Sequence, residues 1–149
     1  MLYCAYGSNL NMEQMAYRCP NSRPLCKGVL NNWELYFNLH ADIRERAGAQ
    51  TSVGVWDISD KDWRALDYYE GYPNYYERKI VPVETANGIK DCVVYVMTEW
   101  NKNRLDYHRP TAVYFHTIEV GFKDFNMDVE ELYGAYERQF GDKGWYNAV

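Results

Sequence analysis

Histidine is scarce in this chain. His40, His108 and His116 are the three in 149 residues, far apart and in neither an H-E-x-x-H nor a paired-cysteine setting. Such spacing disfavours a metal centre, which needs several ligands converging on one point. Cysteine is sparse too: Cys4, Cys19, Cys26 and Cys92 are scattered without a C-x-x-C pair. In an unexported chain these are expected to be reduced thiols, mostly buried as small hydrophobes, with Cys19 and Cys26 the one pair able to approach. No G-x-G-x-x-G and no P-loop occur, which disfavours nucleotide-cofactor folds. Lys and Arg number 16 against 21 Asp and Glu, a net charge of −5. A dedicated nucleic-acid binder needs a basic footprint to displace counterions, so that class is disfavoured. No apolar run approaches a membrane span, and Met1-Leu2-Tyr3-Cys4-Ala5-Tyr6 reaches Gly7 with neither a basic n-region nor a hydrophobic h-region. The expectation is a cytoplasmic protein with neither membrane nor nucleic acid as partner.

Aromatic residues are abundant: 15 Tyr, 5 Trp and 5 Phe, or 17% of the chain. Disordered chains lack these residues, so an ordered protein is expected. The length favours a single domain over residues 1–149, burying roughly 68–70% of the surface its unfolded chain exposes.

Residues 2–6 read as a strand that enters a tight loop at Gly7-Ser8-Asn9. Asn11 then caps a short helix, Met12 to Arg18, stopped by Cys19-Pro20. Trp33 to Leu39 and Val53 to Ile58 read as strands. Ser59 is the expected cap of a helix with Asp60 and Asp62 in its first turn, running to Glu70 and ended by Gly71. Tyr76 to Glu84 and Ile89 to Met97 flank Asn87-Gly88, which predicts a hairpin with a type I′ turn. A charged stretch, Glu99 to Arg109, crosses to Pro110. Helices follow from Thr111 to about Lys123 and from Asp128 to about Phe140, before a Gly-rich, frayed tail. Five or six strands mixed with three or four helices, without regular β-α-β alternation, predict α+β architecture: a mixed, mostly antiparallel, barrel-like sheet with flanking helices.

Covalent catalysis finds little support. Tyr6-Gly7-Ser8-Asn9-Leu10 is not G-x-S-x-G, and Cys4 lies inside a strand with no cationic neighbour in sequence. The glycine turn has two readings: a plain strand-to-helix connection, or a concavity of backbone N–H groups suited to a carboxylate or oxyanion. Glu70 has two as well. At about 100° per residue it shares a face with Trp63 and Leu66, which should be buried. Burial, the helix C-terminus and nearby Asp67 would all raise its pKa, and a carboxylate so poised is a useful general base. Alternatively it reaches solvent from a frayed helix end and pairs with Arg64 or Arg78. The tyrosines at 68, 69, 72, 75 and 76 read as core and pocket lining more readily than as a base-stacking platform, since only Arg78 and Lys79 lie nearby.

Three blocks together resemble the γ-glutamylcyclotransferase family: Tyr3-Cys4-Ala5-Tyr6-Gly7-Ser8-Asn9-Leu10; Leu66-Asp67-Tyr68-Tyr69-Glu70-Gly71-Tyr72-Pro73 followed by Tyr76-Glu77-Arg78; and Pro110-Thr111-Ala112-Val113-Tyr114 with Ile118 and Gly121 downstream. Between about His40 and Ser52 the match is loose, and that segment is expected to be a loop that alters substrate choice. The resemblance implies a small barrel without metal or organic cofactor. It implies a reaction in which a small-molecule γ-glutamyl derivative cyclises to 5-oxoproline and releases its amine. It also implies that Glu70 accepts the proton, that Tyr3, Cys4, Ala5, Tyr6, Gly7 and Ser8 bind substrate, and that Tyr114 lines the pocket. In this chemistry the N–H groups of Gly7, Ser8 and Asn9 would hold the oxyanion or the α-carboxylate. A binding module that keeps the pocket without turnover is the alternative, and a γ-glutamyl-processing step within a biosynthetic pathway differs from the first reading only in substrate. The oligomeric state, monomer or homodimer, stays open.

Overall fold

The computed structural model describes residues 1–105 and 108–142. Strand β1 (Leu2–Ala5) runs into a 3₁₀ turn (Ser8–Leu10) and helix α1 (Met12–Arg18). Strands β2 (Arg23–Asn38) and β3 (His40–Asp57) follow, then α2 (Trp63–Glu70), β4 (Tyr76–Thr85), β5 (Gly88–Met97), and helices α3 (Glu99–Leu105), α4 (Ala112–Asp124) and α5 (Val129–Phe140). The five strands close into a barrel in the order β1-β3-β2-β4-β5. Every pairing is antiparallel except the seam, where β1 meets β5 in parallel at Tyr3 and Val93. This is the mixed, mostly antiparallel α+β architecture expected from the sequence.

The largest departure from the sequence reading is the β2–β3 hairpin. Residues 40–52 are not a loop: β3 begins at His40, opposite Asn38 across a turn at Leu39, whose φ is 65°. The charges, alanines and Gly48 of this segment are poor strand formers, but the aromatic run Trp33 to Phe37 offers it a paired partner, and pairing overrides propensity. Asn32, with φ 68°, and Pro24 do not interrupt β2 as loops would; each sits where the register with β3 shifts. The second hairpin turns one residue earlier than predicted. Ala86 and Asn87 form the connection, Thr85 pairs with Gly88, and a left-handed φ (103°) falls on Gly88 alone, so the turn is not an Asn-Gly type I′ turn.

Helix ends follow local chemistry. The Asn11 side chain accepts from Gln14 N at 3.0 Å, Thr111 from Tyr114 N at 3.2 Å and Asp128 from Glu130 N at 3.0 Å, three caps in place. Helix α2 starts later than Ser59. Asp62 stands at its cap position but makes no capping bond there; its carboxylate instead accepts from Asn21 N and Ser22 Oγ. Residues 99–105 are helical rather than a crossing loop, because Thr98 Oγ1 accepts from Asn101 N and the acidic Glu99 and basic Arg104 suit the two ends. Residues 106 and 107 of that stretch, and the tail from 143 onward, lie outside the described residues. Among the described residues, no helix is long and apolar enough to cross a membrane. All four cysteines are free, Cys26 half-buried and the others buried.

The helices fix the first loop from behind. A Cβ at Gly121 of α4 would meet Leu10 Cβ at 2.6 Å and Asn11 N at 2.7 Å, so the helix backbone rests directly on the 3₁₀ turn. Helix α5 is tied to β2 by Gln139, whose side chain accepts from Phe37 N and donates to Phe37 O. Between them Phe37, Phe115, Phe122 and Tyr136 are almost wholly buried. Gly121 and Gly134 therefore predict opposite outcomes for one change. Gly134→Ala, on an exposed face with nothing within 4 Å of the new carbon, should stabilise by about 0.5–1 kcal/mol. Gly121→Ala should destabilise by about 1–3 kcal/mol, both read by urea denaturation.

Candidate functional site

The glycine turn earns its glycine by packing. A Cβ at Gly7 would come within 3.1 Å of Ala41 Cβ and 3.5 Å of the Tyr114 hydroxyl, while its φ of −123° is open to other residues. Leu10 N donates to Gly7 O and Asn11 N to Ser8 O. The turn's own bonds thus leave the N–H groups of Gly7, Ser8 and Asn9 uncommitted to it. Asn9 is 2% exposed, an expensive place for an amide unless it is satisfied. Its Nδ2 donates to Glu70 Oε1 at 2.7 Å and to the Tyr3 hydroxyl at 2.9 Å, and its Oδ1 accepts from Arg18 at 2.9 Å.

Glu70 is the last residue of α2, ended by Gly71 in the left-handed region at φ 66°. Its carboxylate turns inward with Leu66, which is fully buried, and meets Asn9. Neither Arg64 nor Arg78 pairs with it: Arg64 is exposed, and Arg78 forks onto Asp67. Desolvation pushes the Glu70 carboxyl from its ordinary 4.5 up to about 7, with Asp67 adding to the rise and the Arg18 charge and the Asn9 hydrogen bond opposing it. The group changes charge near neutrality.

These groups open on a cavity of about 250 Å³. Of the residues singled out in the sequence, Tyr3, Tyr6, Gly7, Ser8, Asn9, Glu70 and Tyr114 line it. Cys4 and Ala5 do not, and both are fully buried in β1: alternation turns Cys4 to the face opposite Tyr3, while Ala5 shares the Tyr3 face with a side chain of one carbon. Tyr69, Tyr75 and Tyr76, read from the sequence as core or pocket lining, line it too, with His40, Ala41, Gly71 and Tyr95, whereas Tyr68 and Tyr72 are exposed instead. His40 went unnoticed as a site residue because it stands at a hairpin end that has no signature in sequence. Its ring meets the Tyr75 hydroxyl through Nδ1 at 2.5 Å and packs edge-on to Tyr114, and burial pushes its pKa below the usual imidazole value. The Tyr114 hydroxyl accepts from Ala41 N at 3.0 Å, and Tyr76 donates to Ala41 O at 2.6 Å, so two phenols hold both polar groups of one β3 residue. Burial raises the Tyr3, Tyr6, Tyr76 and Tyr114 hydroxyls above their ordinary value, which keeps them as neutral donors. The arrangement offers one titratable carboxylate held against the first loop at the edge of a half-open, largely aromatic cleft. It suits proton transfer on a small molecule with its own anionic or carbonyl oxygen.

Comparison with known proteins gives the same direction. The family model described as gamma-glutamyl cyclotransferase, AIG2-like, matches residues 3–114. Among solved structures, one titled "Gamma-glutamyl cyclotransferase" superposes with a TM-score of 0.76 at 25% identity, covering 100% of this chain and 92% of its own. An uncharacterized protein from Homo sapiens gives 0.75 at 26% identity, covering 99% and 90%. YkqA from Bacillus subtilis shares the fold, with a TM-score of 0.73 at 21% identity over 95% of this chain and 54% of its own. No curated protein matches significantly in sequence.

An acid raised from 4.5 to about 7 by folding costs the folded state stability as it ionises. That cost is absent below pH 4.5, grows between 4.5 and 7, and is complete above 7. Glu70→Gln, which keeps an acceptor for Asn9 without the charge, should therefore match the wild type at pH 4 and exceed it at pH 8 by up to about 3 kcal/mol. Urea denaturation at the two pH values checks this.

Proposed function

The chain belongs to the gamma-glutamyl cyclotransferase, AIG2-like family, and we propose that it converts a γ-glutamyl amine, amino acid or peptide into 5-oxoproline and the free amine, with Glu70 as general base and then general acid. The observation that carries this reading is the bond of 2.7 Å from Asn9 to Glu70, which sets the ionisable carboxylate against the first loop at the edge of one cavity.

The chemistry needs no enzyme nucleophile. The α-amine of the glutamyl group attacks its own γ-carbonyl, forming a C–N bond that closes a five-membered ring. The old amide C–N bond then breaks. Holding the glutamyl chain curled so that these atoms meet is worth roughly 7–11 kcal/mol by comparison with well-oriented intramolecular reactions. Glu70 takes the proton that the attacking nitrogen loses and returns it to the departing nitrogen, so the protein ends as it began. Donors from Gly7, Ser8 and Asn9 receive the negative oxygen, and fixed backbone dipoles do so despite the protein's net negative charge. The tyrosine walls leave less room for water that would otherwise weaken these interactions.

Only ionised Glu70 can act as base. The rate kcat/KM should therefore rise with pH to a midpoint near 7, set by a carboxyl titrating at about 7, and level above it. Glu70→Gln should retain its fold and lose roughly 10²–10⁴-fold in 5-oxoproline release across a γ-glutamyl substrate panel. Wild-type turnover by that folded variant would remove Glu70 from the mechanism. Saturable calorimetric binding of γ-glutamyl compounds without product would instead favour a binding module.

A further inference from the structure

Arg18 stands behind the cavity wall and is not part of its lining. We propose that Arg18 is a positioning residue, fixing the Asn9 amide so that its N–H₂ end, and not its oxygen, is presented to Glu70. The role in turnover rests on the reading of Glu70 as proton acceptor; the hold on the Glu70 carboxylate does not.

The argument follows from donor and acceptor identity. An amide side chain can present either end to a neighbour. The carboxylate of Glu70, when ionised, only accepts, and the guanidinium of Arg18 only donates. The Tyr3 hydroxyl can do both, so its contact with Asn9 at 2.9 Å is compatible with either orientation. Arg18 is therefore the partner that sets direction: Nη1 donates to Asn9 Oδ1 at 2.9 Å, which leaves Nδ2 for Glu70 Oε1 at 2.7 Å. Without Arg18, the amide can turn its oxygen to the carboxyl, an arrangement that favours the protonated acid and removes the base.

Arg18 is itself held on two further sides. It projects from the last turn of α1, its Nη2 donates to Gln14 Oε1 at 2.5 Å, and its guanidinium lies 3.5 Å from the centre of the Tyr69 ring. Tyr69 in turn meets Ser8 Oγ through its hydroxyl at 3.0 Å, so the cation, the turn and the end of α2 form one packed unit. Among the described residues no carboxylate forms an ion pair with Arg18. Its charge acts on Glu70, opposing the desolvation that raises that group. The other groups that act on Glu70 or line its cavity are few. Asp67, one turn back on α2, opposes Arg18 but is engaged by Arg78. Tyr3, Tyr6, Tyr76, Tyr95 and Tyr114 stay protonated, as does Tyr75, and His40 on the far wall is pushed toward its neutral form.

Two readouts on Arg18→Met and Arg18→Lys test this: the midpoint of the Glu70 carboxyl resonance by carbon-13 NMR in the free protein, and the pH profile of kcat/KM for 5-oxoproline release. Arg18→Met should move both midpoints upward and lose roughly tenfold in kcat/KM at pH 7, with only part recovered at pH 9. Arg18→Lys, which keeps the charge but not the planar fork, should restore the midpoint more than the plateau. Arg64→Met, at an exposed position on α2, should change neither. Should Arg18→Met fail to fold, Arg18→Gln removes the charge while keeping an N–H donor, and its midpoint should still rise. A folded, charge-free variant with an unmoved Glu70 resonance overturns the proposal. A moved midpoint with a full wild-type plateau at pH 9 overturns positioning and leaves only a charge effect. A moved resonance in a protein that makes no 5-oxoproline, wild type included, leaves the hold on Glu70 standing and removes the cyclotransferase reading instead.

Discussion

The site depends on one amide. Asn9 joins the turn after β1 to the end of α2, groups separated by 61 residues in sequence, and it does so where water is excluded. A buried amide left without partners would cost about 1–3 kcal/mol, so the bonds to Glu70, Tyr3 and Arg18 are a requirement of folding as well as an arrangement for chemistry. The same burial that makes these bonds obligatory raises the Glu70 carboxyl to about 7. Stability and reactivity therefore meet in one contact, and each constrains what the other can be.

Much of this was legible in the chain. The short N-terminal strand, the Asn11 cap and the Gly71 stop follow from local rules, because each is settled within a few residues, whereas the helix period left Glu70 with two readings that only the tertiary contact with Asn9 separates. The β2–β3 hairpin was legible only in part, as the strands Trp33 to Leu39 and Val53 to Ile58, and not over residues 40–52. Its second strand draws its order from pairing with Trp33 to Phe37, and the turn at Leu39 uses a branched residue at positive φ that no turn rule would nominate. His40 and Ala41 enter the cavity only because of that pairing. Sequence alternation should have separated Tyr3 from Cys4, since neighbours in a strand face opposite ways; the family block treats them together, and the pleat does not.

The tyrosines divide by the same logic. Tyr69, Tyr75 and Tyr76 line the cavity, whereas Tyr68 is 89% exposed beside them. Buried tyrosines bond backbone, as Tyr6 does with Tyr95 O at 2.7 Å, or a polar side chain, as Tyr95 does with Asp67 at 2.5 Å. Phenols supply wide apolar faces and a polar tip, which lets one residue type both seal the cavity and tie its strands together.

The parallel seam between β1 and β5 gives the cavity a further property. Tyr3 and Tyr95 stand on the two sides of that seam, in edge-to-face contact at 5.7 Å, and both reach the cavity. A small molecule held in the cavity lies against residues from both sides of that joint, so occupancy and closure are thermodynamically linked, and the stabilisation grows with the logarithm of its concentration over its dissociation constant.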